Sequence, residues 1–168
     1  MAESYVKNSV TTTVDGNVII FERVFDAPRE LVFQALSKPE HLSNWWGPKN
    51  WSLPVCKMDF REGGSWHYCM ESADGEMKSW GKTFYKEIVE PEHIMLEDYF
   101  SDEEGNINEN MPGTKVTLTL TELEGKTKLV NHATFSSEEA LKAVLDMGMV
   151  QGFTEMWDKF DAYLNDIH

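Results

Sequence analysis

From Ser136 to Ile167 no proline interrupts the chain, and its apolar residues step by three or four: Leu141, Val144/Leu145, Met149, Phe153, Met156/Trp157, Phe160, Tyr163/Leu164 and Ile167. That spacing predicts one long amphipathic helix, about 45 Å at 1.5 Å per residue, with one face buried along its whole length. Ser136 and Glu139 are spaced as a capping box at its start. Gly148 and Gly152 lie inside it, and each costs about 1 kcal/mol of helix propensity relative to Ala. Either the backbone packs closely on a neighbour there, or the helix kinks. So long a stripe must be covered by a broad apolar surface from the rest of the chain.

That surface has to be a sheet. From Trp51 to Thr134 the apolar period is two and turn residues recur, as in Glu62-Gly63-Gly64, Asp74-Gly75, Gly105-Asn106 and Glu124-Gly125. Six antiparallel strands are expected: Ser52 to Phe60, Ser65 to Glu71, Lys78 to Val89, His93 to Phe100, Lys115 to Thr121 and Thr127 to Thr134. Ahead of them, residues 1–17 read as a flexible N-terminal segment, and Val18 to Phe25 as a strand opening one domain over 18–168. Asp26-Ala27-Pro28 then starts a short helix, and Ser37 with Glu40 marks a second from Pro39 to about Trp45, stopped by Gly47-Pro48. The fold class is α+β: a curved antiparallel sheet of six to seven strands wrapped round a C-terminal helix.

Side-chain chemistry selects the register of the hairpin at Glu62-Gly63-Gly64. A three-residue loop pairs Phe60 with Trp66, Met58 with Tyr68 and Cys56 with Met70, and leaves Asp59, His67, Lys57 and Cys69 on the other face. A two-residue loop would mix charges and aromatics on both faces. The first register separates apolar from polar and sets the two cysteines on opposite faces, where they stay free thiols. A strongly curled sheet leaves a cavity against the helix, lined by Met58, Trp66, Tyr68, Met70, Met149, Phe153 and Trp157. Trp45 and Trp46 stand near its mouth. Adjacent helical residues point about 100° apart, so one Trp packs in the core and the other reaches the cavity, either as wall or as a gate hinged at Gly47.

Charge limits the partners. With 15 Lys+Arg against 29 Asp+Glu the formal net charge is -14, a field that repels phosphate backbones and anionic membrane surfaces. No basic n-region with an apolar run opens the sequence, and no apolar stretch approaches the roughly 20 residues that span a bilayer, so a cytoplasmic location without membrane insertion is expected. Lys86 to Glu109 carries nine acids and one lysine, which reads as a solvated segment or as a partner-binding surface. No nucleophile elbow, metal-ligand cluster or cofactor motif is present, so no catalytic residue, metal or cofactor is assigned. Asp98, Asn131 and His132 are candidates for polarity inside the sheet, but the sequence does not fix their parity.

Phe25-Asp26-Ala27-Pro28, Trp45-Trp46-Gly47-Pro48, Asp59-Phe60-Arg61-Glu62-Gly63-Gly64-Ser65-Trp66, and Gly152-Phe153 with Trp157-Asp158 and Phe160 follow one another in an order that resembles a known group. It is the START-like (SRPBCC) helix-grip superfamily, and within it the family of activator of heat-shock protein 90 ATPase homologues. Phe153 departs mildly from the family's usual Trp. The resemblance implies an internal hydrophobic cavity but not one activity, because that superfamily includes lipid carriers, hormone receptors, polyketide cyclases and co-chaperone modules. The expected function is binding of a hydrophobic, aromatic or lipid-like small molecule between sheet and helix. A cyclase or dehydratase using the same cavity and a chaperone ATPase-activating module are the alternatives. A monomer, or a weak dimer through a sheet edge, is expected.

Overall fold

The computed structural model describes residues 3–7 and 9–168, the side chain of Lys7 excepted. Among them the chain runs β1 (Glu3–Lys7), β2 (Val10–Asp15), β3 (Val18–Phe25), α1 (Arg29–Ser37), α2 (Pro39–Leu42), β4 (Trp51–Met58), β5 (Ser65–Ser72), β6 (Lys78–Val89), β7 (His93–Phe100), β8 (Thr114–Leu123), β9 (Lys126–Phe135), α3 (Glu138–Leu145) and α4 (Met149–Ile167). The strands form one antiparallel sheet in the order β1-β2-β3-β9-β8-β7-β6-β5-β4. Side chains from β5 through β9 line one internal space together with α4, so the sheet wraps the helix.

The sheet has nine strands where six or seven are expected, because the N-terminal residues join it. Val10 and Thr12 alternate inward along a Thr-rich run, and Thr12 pairs with Phe21 across a two-residue Gly16-Asn17 loop. β-Branched residues suit such a half-buried pleat. The expected loose segment is therefore a β-hairpin over 3–7 and 10–15; residues 1, 2 and 8 lie outside the described residues.

The β4–β5 register is two residues away from the expected one. Met58 lies opposite Trp66, Cys56 opposite Tyr68 and Lys57 opposite His67. A shift of two keeps every side chain on its face, so Met58, Trp66 and Tyr68 still share one side, and Cys69 lies on the opposite face from Cys56. The reason is the loop: the Gly63 amide donates to the Tyr85 carbonyl and the Tyr85 amide to the Gly64 carbonyl, so the two glycines pair with β6 instead of closing a tight turn. A bulge between Ser52 and Val55 accommodates Pro54 on this edge strand.

The predicted single C-terminal helix is two. Gly148 sits in the left-handed region (φ 86) and separates α3 from α4, whereas Gly152 makes the close approach: a Cβ there would meet Pro48 at 3.5 Å. The kink and the close contact are thus both present, one at each glycine. The α3 cap is Ser137, whose hydroxyl accepts from the Ala140 amide at 3.1 Å, one residue beyond the expected Ser136. Likewise α2 is a single turn starting at Pro39, because the Ser37 hydroxyl turns back to donate to the Phe33 carbonyl rather than capping it.

Aromatic packing fixes α4 on the sheet. Phe153 stacks on Phe21 at 3.8 Å, and Trp157 meets Phe25 edge-on at 5.5 Å. Arg23 of β3 reaches Asp158 at 2.8 Å and Asp161 at 3.2 Å, with its guanidinium 5.2 Å from the Phe25 ring. Trp45 is fully buried, stacks on Phe160 at 3.9 Å and donates its indole N–H to the Ala35 carbonyl at 3.1 Å. Of the two adjacent tryptophans, Trp45 is therefore the core residue.

Candidate functional site: a divided cavity between sheet and helix

Two adjoining cavities lie between the sheet and α4, an outer one of about 340 Å³ and an inner one of about 180 Å³. They share Trp46, Asp98, Thr114, Met149, Phe153 and Met156 as walls. The outer cavity opens beside Pro112, Met147 and Gly148, where Met147 is 58% exposed. The inner one ends on the buried side chains of Trp45, Trp66, Leu129 and Trp157.

Trp46 stands at the partition. The turn that ends at Gly47 turns its ring against Trp66 (4.8 Å, 70°) and Tyr68 (5.7 Å, 78°), both edge-on. Its indole N–H is buried and has no hydrogen-bond partner among the described residues. The loop behind it is fastened to α4. Lys159 Nζ donates to the carbonyls of Gly47 (3.2 Å), Pro48 (3.3 Å) and Trp51 (3.1 Å), and the Lys49 amide donates to Glu155 Oε1 at 3.2 Å. Burial lowers the Lys159 pKa from its ordinary value.

Asp98 is the ionisable group of the partition. On β7 it lies opposite Thr83 of β6 and Thr114 of β8. Its Oδ1 accepts from Thr83 Oγ1 at 2.9 Å and from the Tyr68 hydroxyl at 3.3 Å. Tyr68 belongs to β5, two strands away, and reaches Asp98 because the intervening residue of β6 is Gly81. A Cβ on Gly81 would lie 2.4 Å from Tyr68 Cζ, so the ring occupies the space over the glycine. Asp98 keeps some exposure as a residue, but its carboxyl is the enclosed part. Burial pushes that carboxyl up to about 6, against the opposing pull of the Thr83, Tyr68 and Tyr99 hydrogen bonds. Burial also holds Tyr68 and Tyr85 well above the ordinary tyrosine range, so both are protonated at neutral pH.

A family model described as Activator of Hsp90 ATPase homolog 1-like protein matches residues 26–165. The chain belongs to that family. Solved structures agree on the fold. Protein Ms6760 from Mycobacterium smegmatis is 32% identical with a TM-score of 0.80, covering 89% of this chain and 94% of its own. A protein from Staphylococcus epidermidis is 32% identical with a TM-score of 0.79, covering 92% and 93%. One from Arthrobacter aurescens is 28% identical with a TM-score of 0.82, covering 98% and 91%. No curated protein matches.

The residues expected at the cavity distribute as follows. Trp46, Met149 and Phe153 border both cavities, Tyr68 and Met70 the outer, and Trp45, Trp66 and Trp157 the inner. Met58 borders neither: it lies across from Trp66 on the edge strand β4, which contributes no residue to either cavity, and it packs against the core instead. Of the three polar candidates, Asp98 and Asn131 face inward and His132 is exposed. His67 lies outside too, stacked on Trp80 at 5.1 Å with Nε2 at 3.0 Å from the Asp102 carbonyl. Thr83, Trp80, Tyr99 and Phe100 are further wall residues that alternation alone does not single out. Gly81 is the available signal, since a glycine inside an otherwise regular strand marks a close approach. No described helix is long and apolar enough to cross a membrane.

Proposed function

We propose that this protein binds a hydrophobic small molecule in the divided cavity between the sheet and α4. The observation that carries this is the pair of adjoining spaces of about 340 and 180 Å³, walled by aromatic and methionine side chains and sharing one partition. Met149 and Met156 supply adaptable surface, and Trp46 and Phe153 supply flat faces for a ring. Two polar groups would orient the guest: the unpartnered Trp46 N–H as donor and the Asp98 carboxyl as acceptor. An NMR titration with neutral aromatic and aliphatic ligands, following backbone amides and indole N–H signals, tests it. Saturable shifts at Trp46, Tyr68, Met149 and Phe153 are expected. Shifts confined to the outer face of the sheet would refute it.

Asp98 supports a second reading, a cyclase or dehydratase in which this carboxyl moves a proton within the same cavity. A buried carboxyl with a pKa raised to about 6 is suited to that work. Turnover abolished by Asp98→Asn with ligand binding retained would establish it. The family's name supports a third reading, stimulation of a chaperone ATPase, which a coupled ATPase assay with the cognate chaperone tests directly.

A further inference from the structure

Asp98 is an acid without a base. Neither cavity is bordered by Lys, Arg or His, so the partition holds one carboxyl and no cation to receive an anionic ligand. A fatty-acid or other carboxylate headgroup placed there would bury a second negative charge beside the first, which is costly without a counter-ion. The walls are suited to the opposite sign. The outer cavity is lined by Trp46, Tyr68, Phe100 and Phe153, whose ring faces attract cations. The formal net charge of -14 raises the local concentration of cations at the mouth.

We infer that the cavity selects an organic cation, a molecule with an apolar, ring-bearing body and a protonated amine that docks on Asp98 between the two chambers. This rests on the cavity-binding reading proposed above and names its ligand class. The Tyr68 and Thr83 hydroxyls both donate to Oδ1, which fixes the carboxyl's orientation before a ligand arrives. The titratable groups facing it are Tyr68 of β5 and Tyr85 of β6, both protonated at neutral pH. Thr114 of β8, Met149, Phe153 and Met156 of α4 and the Trp46 ring complete the enclosure without a charge. Amine binding therefore follows the ionisation of Asp98 alone. With that carboxyl titrating near 6, only about a tenth of molecules carry the charge at pH 5, so amine affinity should be about tenfold weaker there than at pH 7.5.

The test uses three ligands with one body: naphthylethylamine, naphthylethanol and naphthylacetate, titrated by calorimetry into the full chain and into Asp98→Asn. The amine is expected to bind about tenfold tighter than the alcohol at pH 7.5, the margin that a charged donor adds over a neutral hydroxyl donating to the same carboxylate, and the acetate weakest. Asp98→Asn should weaken amine binding far more than alcohol binding and so erase the amine's advantage, with an unchanged amide spectrum as the check on folding. The pH series on the unaltered protein gives an independent reading if the variant misfolds. An amine no tighter than the alcohol, an advantage that survives Asp98→Asn, or amine affinity flat from pH 5 to 7.5 would overturn the inference while cavity binding stands. No binding heat from any of the three ligands, with no shift of the cavity residues' amide signals on the same additions, would overturn both.

Discussion

Gly81→Ala should damage the partition by driving Tyr68 from its place over β6. The new methyl carbon would lie 2.4 Å from Tyr68 Cζ, 2.5 Å from its hydroxyl oxygen and 2.9 Å from Cε2, so the ring must leave its place over β6. Forcing a methyl into packed space costs about 1–3 kcal/mol. Losing the Tyr68–Asp98 hydrogen bond adds about 1 kcal/mol, and the lower entropy of the unfolded Ala chain returns about 0.5. The net loss is about 1.5–3.5 kcal/mol, or roughly 3–14 °C in Tm for a chain of this size. Urea unfolding followed by tryptophan fluorescence measures it, in wild-type and Tyr68→Ala backgrounds. Without the ring the methyl has nothing to strike, so in Tyr68→Ala the cost of Gly81→Ala should nearly vanish. An equal cost in both backgrounds would refute the account of Tyr68 lying across Gly81. So would a Gly81→Ala protein as stable as its parent.

Three further outcomes are expected. Asp98 is a carboxyl whose folded pKa, about 6, lies above its unfolded value of about 3.9, so the folded state takes up the proton more readily; the stability it lends is complete below pH 4 and lost as pH rises through 6. Asp98→Asn should therefore raise stability at pH 7.5, on the order of 2 kcal/mol, and leave it unchanged at pH 4, as read by melting curves at the two pH values. Lys159→Met removes the donor shared by the Gly47, Pro48 and Trp51 carbonyls, and should cost about 1–3 kcal/mol and speed amide exchange across 47–51; exchange as slow as in the parent would show that the loop is held otherwise. Gly148→Ala forces a methyl-bearing residue to φ 86 and should cost about 1 kcal/mol by chemical denaturation, despite the open space around it.

Much of the sheet was legible because its turns and alternation agree: the expected bounds of β6 and β7 match those observed. The inward parity of β7 was not. One set of alternate residues holds Ile94, Leu96, Asp98 and Phe100, the other His93, Met95, Glu97 and Tyr99, and each set contains one acid and one aromatic. What breaks the tie is a bulge in β6 between Tyr85 and Glu87, together with the pairing of Asp98 with Thr83 and Thr114, both tertiary facts. The β4–β5 hairpin shows the reverse case. Its exact pairing was missed because Gly63 and Gly64 bond to a third strand, yet its facing was recovered because a two-residue shift preserves parity. Trp45 and Trp46 are identical letters side by side, and only the acceptor at Ala35 and the stacking on Phe160 separate the core residue from the cavity residue.

The three carbonyls gathered by Lys159 make the Trp46 loop and α4 one mechanical piece. Gly148, the left-handed residue where α4 begins, borders the outer opening, while Trp46, at the far end of the same tether, divides the interior. A tilt of α4 about Gly148 therefore carries the loop with it, so the doorway and the inner wall shift in a single stroke. If the cavity takes a guest as proposed, widening the entrance would also redraw the boundary between the chambers, and a guest already inside would resist that opening by holding the partition still.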